Sequence, residues 1–285
     1  MTQALSILPA PQAPRLTRRL AGTDHTVAEV ETSVVEERPL TIFLNSQEVV
    51  TAMAIGDYPE YLALGFLKNQ GMLKPDDTVT GVDHDADAEA VVVRTTARTT
   101  VEEKVEKKIR TSGCAVGTVF GDMMEGMTLP RAKACTSWIY ALGRQINTPS
   151  LYLVAGAIHG TVLCRADRPP VYMEDVGRHI PVDKIAGWIL RYGDLGADKI
   201  LYTTGRLTWE IMIKTALMGI PVLAARSGFH RTGGGDRPTG GADPDRSDAG
   251  GALCVPVGRA PPDPRRRPGR PARRGAPPPP QGSLR

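Results

Sequence analysis

The stretch Glu174–Trp188, EDVGRHIPVDKIAGW, decides how this chain is read. Glu174, Asp175, Arg178 and His179 fall within six positions, with Gly177 among them. Pro181 then stands where a helix begins, since its fixed φ suits the first turn and its missing N–H is not needed there. Val182, Ile185, Ala186 and Ile189 follow at helical spacing. A polar loop running into a helix N-terminus offers unpaired N–H groups and a partial positive charge, which suit an anion such as a phosphate. Arg178 adds a guanidinium able to make a bidentate contact. The plainer alternative is an ordinary polar turn joining a strand to a helix.

A second run repeats the logic. Lys199–Thr204, KILYTT, reads as a buried strand, followed by Gly205-Arg206 and by a helix from Leu207 to Met218 that stops at Gly219. This order puts Gly205 and Arg206 at the carboxyl end of a strand, where ligands of open α/β sheets collect. A surface arginine beside a turn glycine is the alternative. The remaining strand candidates are Thr41–Leu44, Ala90–Arg94, Leu151–Val154, Thr161–Arg165, Val171–Met173 and Pro221–Ala225. The remaining helices are Tyr58–Gln70, Pro130–Gln145 and Pro181–Tyr192. Strands alternating with helices in the second half predict an α/β layered domain.

The third run is Thr111–Asp122, TSGCAVGTVFGD. Gly113 and Gly117 bracket Cys114, which leaves the sulfur accessible and the backbone free to move. Lys107, Lys108 and Arg110 precede it and favour the thiolate. A lone cysteine is elsewhere often a small buried hydrophobe, but flanking glycines argue for a reactive thiol. The other cysteines, 135, 164 and 254, have no paired spacing, so no disulfide framework or zinc site is predicted. Cys135 and Cys164 fall in predicted elements and read as packing residues.

Together these runs resemble the FdhD family, the sulfur carrier proteins needed to make active formate dehydrogenase. The resemblance covers about residues 28–229. It begins at Val34-Val35-Glu36-Glu37-Arg38-Pro39-Leu40 and continues through Tyr61-Leu62-Ala63-Leu64-Gly65-Phe66-Leu67, similar to the family's LALGFL helix. Cys114 occupies the family's cysteine loop. Val154–Gly160, VAGAIHG, resembles a T-G-G-x-H segment. Glu174–Lys184 follows E-D-x-G-R-H-N-x-x-D-K with Ile180 in place of Asn, and Thr204-Gly205-Arg206 with Glu210 follows S-G-R-x-x-x-E. Two departures stand out. The family's C-G-x-C-G is here Cys114-Ala115-Val116-Gly117-Thr118, so a second thiol is missing. Paired glycines are also missing before His159.

The resemblance implies a cytidine-deaminase-like three-layer α/β domain preceded by a smaller β-rich subdomain. It does not imply deaminase chemistry, because the zinc signature is absent. It implies that a cysteine desulfurase loads a persulfide onto Cys114, and that the sulfur passes to the molybdenum (or tungsten) bis-pterin guanine dinucleotide cofactor of formate dehydrogenase. No cofactor is then permanently bound. Expected partners are the desulfurase, the catalytic subunit of formate dehydrogenase, the molybdenum cofactor and a second copy in a homodimer. Asp175, Gly177, Arg178, His179, Gly205 and Arg206 are the candidates for holding the cofactor's phosphates, and His159 for orienting it. The alternative function is a chaperone that binds the cofactor or the dehydrogenase, or a decayed product, with no sulfur transfer.

The chain changes character at about Phe229. From His230 to Arg285 it has no Ile, Met, Phe, Trp, Tyr, Lys or Glu, and Gly, Pro, Arg, Ala and Asp dominate. Such a segment is expected to be disordered. Its eleven Arg against five Asp exceed the +4 of the whole chain, so residues 1–229 are slightly acidic and make no electrostatic case for nucleic acid. Shifting the reading frame allows Gly233–Ala249 to decode as GVEIARQVGLTLIGRMR, an amphipathic helix and a hydrophobic strand similar to the family's C-terminal region. The tail therefore reads as out of frame, the alternative being a native Arg/Pro tail.

The expected organisation is a flexible extension over 1–25, a β-rich subdomain over 26–110, the α/β domain over 111–229 and the tail over 230–285. No secretory signal is read at the N-terminus. No run of about 18 apolar residues spans a membrane, so a cytoplasmic protein is expected.

Overall fold

The computed structural model describes residues 17–74, 76–96, 138, 142, 156–165, 168–193, 198–225 and 253–256. Three sheets organise them. Strands β1 (Thr17–Thr23) and β2 (Glu29–Val35) form an antiparallel ribbon. The Asp24 carboxylate shapes its turn by accepting hydrogen bonds from the N–H groups of Thr26 and Ala28. Strands β3 (Arg38–Leu44), β4 (Gln47–Ala54), β5 (Val79–Asp85) and β6 (Ala90–Thr95) form a four-stranded sheet in the order β4-β3-β6-β5. Leu40, Ile42 and Leu44 alternate inward from β3 and meet Val91 and Val93 of β6.

Helix α1 (Pro59–Asn69) follows β4. It is buried on nearly every side, as a helix between two layers must be. Leu62, Ala63, Leu64 and Leu67 pack on the four-stranded sheet, whereas Tyr58 and Tyr61 join the core of the second half.

The second half holds a five-stranded sheet of β7 (His159–Arg165), β8 (Arg168–Asp175), β9 (Lys199–Thr203), β10 (Val222–Ala225) and β11 (Leu253–Pro256), in the order β11-β10-β9-β7-β8. β7 is antiparallel to β8 and β9, β10 runs parallel to β9, and β11 is antiparallel to β10. Helix α2 (Ile180–Tyr192) leads from β8 to β9, and α3 (Trp209–Leu217) leads from β9 to β10. One face of the sheet offers Leu163, Val171, Met173, Leu201 and Leu223, which cluster with Val182, Ile185, Ala186 and Ile189 of α2 and Ile211 of α3. The other face offers Val162, Cys164, Tyr172, Ile200, Tyr202 and Val222, covered by Leu142 and Trp138, both helical residues. This is a mixed α/β fold of several sheets.

Helices α1, α2 and α3 agree with the sequence expectation to within two residues at each end. Two expectations need correction. The extension predicted as flexible over 1–25 contains β1; the ribbon is exposed along most of both strands and carries no alternating apolar pattern to announce it. The tail predicted as disordered contains β11. Leu253–Pro256 is its one apolar run, and it pairs with the otherwise open edge of β10. β4 and β5 were also unannounced, because few of their side chains are buried. The cysteine loop at 111–122, the strand at 151–154, most of the helix at 130–145 and the rest of the tail lie outside the described residues.

Candidate functional site

The antiparallel placement of β7 brings the three polar segments to one end of the sheet. His159, the first residue of β7, pairs with Asp175 at the end of β8, and Thr161 pairs with Thr203 at the end of β9. The turn after β9 is stitched to β7. The Thr204 N–H donates to the Gly160 carbonyl at 2.9 Å, and the Gly160 N–H donates to Thr204 Oγ1 at 2.9 Å. The Gly205 N–H donates to Thr203 Oγ1 at 3.1 Å. Gly205 is buried where any Cβ would approach Arg178 Cβ to 3.0 Å and His159 Nδ1 to 3.7 Å. The absent side chain lets the Gly205-Arg206 turn close onto Arg178 and His159. His159, Gly177 and Arg178 are half-buried and Arg206 is exposed, so the group opens to solvent.

The electrostatics follow from that convergence. Burial, then the nearby charges of Arg178 and Arg206, hold the His159 imidazole below its ordinary pKa, so it is neutral at pH 7. His179 stands at the N-cap of α2 with 6% of its surface exposed. Its Nε2 faces Glu210 Oε2 at 3.5 Å. Burial and Lys214 push its pKa down to about 4, against the opposing pull of Glu210.

Behind His179 lies a buried polar chain. Lys214 Nζ of α3 stands 3.6 Å from Glu210 Oε1 and 2.8 Å from Asp183 Oδ2 of α2. Asp183 Oδ1 accepts a hydrogen bond from Asn69 Nδ2 of α1 at 2.7 Å. A second chain runs beside it. Lys184 donates to Asp57, to Asp175 Oδ2 at 2.6 Å and to the Glu174 carbonyl at 3.1 Å. Glu174 itself accepts from the Tyr172 hydroxyl at 2.8 Å.

The structure thus brings together His159, Gly177, Arg178, His179, Gly205 and Arg206. It corrects Asp175. Its carboxylate is fully buried beneath the turn, with Oδ2 on Lys184 and the Ile55 N–H and Oδ1 on the Val176 N–H. A group so engaged tethers the turn from below. Sequence reasoning quoted Glu174, Asp183, Lys184 and Glu210 as motif letters but missed that they are buried partners. The signal was the Glu210–Lys214 spacing of four and the Asp183-Lys184 pair inside an apolar helix. Ile180, which stands where the resembled motif has Asn, packs against the apolar cluster under the four-stranded sheet.

Cys164 is buried, and burial raises its thiol well above the ordinary range, as suits a packing residue. Cys114 and Cys135 lie outside the described residues. Among the described residues, no helix is long and apolar enough to cross a membrane.

Residues 35–234 match the family model described as FdhD/NarQ family. The chain is 30% identical over 210 residues to "Sulfur carrier protein FdhD" of Listeria monocytogenes, covering 71% of this chain and 80% of that protein. It is 26% identical over 210 residues to the protein of the same name from Bacillus subtilis, covering 70% and 79%. A crystal structure from Desulfotalea psychrophila, described as that of a formate dehydrogenase accessory protein, superposes with a TM-score of 0.61 at 25% identity, over 76% of this chain and 85% of that one.

Proposed function

From the membership of this chain in the FdhD/NarQ family, which the match over residues 35–234 establishes, we propose that it is a sulfur carrier serving formate dehydrogenase. In this reading the Cys114 thiolate attacks the terminal sulfur of a cysteine desulfurase persulfide. The sulfur–sulfur bond of the donor breaks, the desulfurase thiolate leaves, and Cys114 holds the persulfide. The substrate that receives the sulfur is the molybdenum or tungsten bis-pterin guanine dinucleotide. Its phosphates are anions, and this reading puts them at the adjoining turns that carry Arg178 and Arg206.

The observation that carries the proposal is the meeting of Arg178, Arg206 and the neutral His159 around Gly205, at the carboxyl ends of β8 and β9. Asp175 and Asp183 are paired from within by Lys184 and Lys214, which supports a site that favours anions. The helical cover on both faces of the five-stranded sheet supports the cytidine-deaminase-like layering. The reading implies a cytoplasmic protein acting with a desulfurase and the dehydrogenase. Gly117, standing where the family's second cysteine is expected, favours a second reading in which the protein binds the cofactor without carrying sulfur. The family match ends at residue 234, which supports an out-of-frame origin for most of the tail.

The experiment is calorimetry with guanosine diphosphate on the full chain. Binding that weakens in both Arg178→Ala and Arg206→Ala supports the site. Binding indifferent to both moves the site elsewhere.

A further inference from the structure

Thr161 and Thr203 place two hydroxyls where hydrocarbon would serve packing alone. They pair across β7 and β9 and both are wholly buried. They lie on the sheet face that otherwise offers Leu163, Leu201, Leu223 and Ala225. Valine has nearly the same shape, suits a strand and brings no polar atom that must be satisfied. Two hydroxyls there need a use, and their hydrogen bonds show one.

The Thr203 hydroxyl is a junction with no spare capacity. A hydroxyl has one hydrogen and two lone pairs, and all three are engaged. The hydrogen goes to the Gly160 carbonyl over a long 3.4 Å, and the lone pairs accept from the Thr161 hydroxyl at 3.2 Å and from the Gly205 N–H at 3.1 Å. Gly205 is buried, so losing that acceptor is costly for its N–H. Thr204, between the two, is tied to Gly160 through both its N–H and its Oγ1. The chain thus leaves β9 along one fixed path. Arg206, the next residue, is exposed, so the backbone before it, more than packing around it, sets where its guanidinium is presented.

We propose that Thr203, backed by Thr161, is a positioning residue of this site: its hydroxyl pins the Gly205 N–H and so fixes the direction in which Arg206 leaves the turn. In this role Thr203 acts through Arg206. The proposal rests on the reading of the Arg178 and Arg206 turns as an anion site, and it adds what holds one of those turns in shape. Thr203→Val keeps the buried shape but takes the acceptor from the Gly205 N–H. The turn then samples more arrangements, and binding must first gather Arg206 into the one that works. Thr203→Ser keeps the hydroxyl and with it the pin.

The test uses the full chain with Thr203→Val, Thr203→Ser, Arg206→Ala and the double variant of Thr203→Val and Arg206→Ala. Hydrogen exchange followed by NMR reads the Gly205 N–H without any ligand. It should exchange about tenfold faster in Thr203→Val and at the wild-type rate in Thr203→Ser. Calorimetry with guanosine diphosphate should show affinity falling about three- to tenfold in Thr203→Val, up to the scale of one hydrogen bond, and recovering in Thr203→Ser. Adding Thr203→Val to Arg206→Ala should cause no further fall. A threonine that only supports the fold would weaken binding equally with and without Arg206, and that result overturns the proposal. So does a Gly205 N–H as protected in Thr203→Val as in wild type. Should Thr203→Val fail to fold, Thr161→Val takes one bond from the junction and should speed Gly205 exchange by a smaller factor; an unmoved amide there overturns the proposal too. A wild-type chain that binds no guanosine diphosphate, or an Arg206→Ala chain that binds as tightly as wild type, overturns the anion reading and this proposal with it. An unpinned Gly205 in a chain that binds overturns this proposal alone.

Discussion

Lys184 and Asp57 form a buried ion pair across 127 positions of the chain, joining the segment before α1 to the first turns of α2. The same ammonium holds Asp175 under the site turn. Burial works against its charge, but Asp175 and Asp57 together raise its pKa, so it stays protonated. Lys184→Met would take the shared cation away from two buried carboxylates. We expect it to lower stability by about 3–5 kcal/mol, read from urea denaturation. A loss below about 1 kcal/mol would mean that the clamp is slack.

Gly65 and Gly187 set how closely α1 and α2 cross. A Cβ at Gly65 would overlap the Asp183 carbonyl, and one at Gly187 would overlap the Tyr61 carbonyl. These contacts are with backbone, so no side-chain rotation relieves them. Gly65→Ala is expected to cost about 1–3 kcal/mol through overpacking, despite alanine's better helix propensity. It should also disturb Asp183 and hence the Asn69–Lys214 chain. A stabilised Gly65→Ala protein would show that the helices can separate at no cost.

Arg206 is exposed and Arg178 half-buried, which separates binding from folding. Arg206→Ala should leave the melting temperature within a degree or so of wild type and weaken guanosine diphosphate binding by about 1–3 kcal/mol. Raised salt should weaken the wild-type protein more than the variant. An Arg206→Ala protein that binds as tightly as wild type would place the phosphates elsewhere.

His179 makes stability depend on pH with a fixed sign. Its folded pKa of about 4 lies below the ordinary 6.5, so between these values the unfolded chain binds the proton more readily. Its contribution is complete above about pH 6.5 and is lost as pH falls toward 4, by about 3 kcal/mol at most. Lys214, Arg178 and His159 act on the ring against protonation and Glu210 for it. Denaturation curves between pH 4 and 7 should therefore be flatter for His179→Phe than for wild type. Parallel curves would show that the ring titrates normally.

The helices were legible because periodicity and punctuation agreed. Pro59 and Pro181 open α1 and α2, and Gly193 closes α2 at φ 66°. The turn residues His159, Gly177, Arg178, Gly205 and Arg206 were legible as polar groups beside strand ends, and antiparallel pairing did the rest. Asp175 was misread because sequence spacing cannot tell a carboxylate on a turn from one beneath it. That distinction came from Lys184, nine positions on, and from Asp57, far back in the chain before α1. β1 and β5 were missed because an exposed ribbon and an edge strand need no apolar alternation. β11 was missed because four apolar residues in a Gly/Pro/Arg tail are a weak signal until an open strand edge stands beside them.

The proposed function stands or falls with sulfur carried on Cys114. The most direct measurement is intact and peptide mass spectrometry of the full chain after incubation with a cysteine desulfurase and cysteine. Added sulfur is expected on the peptide containing Cys114, none on the buried Cys164, and loss of the adduct in Cys114→Ser. Sulfur found on Cys135, Cys164 or Cys254, or on no cysteine while an FdhD protein treated alongside is loaded, would contradict it.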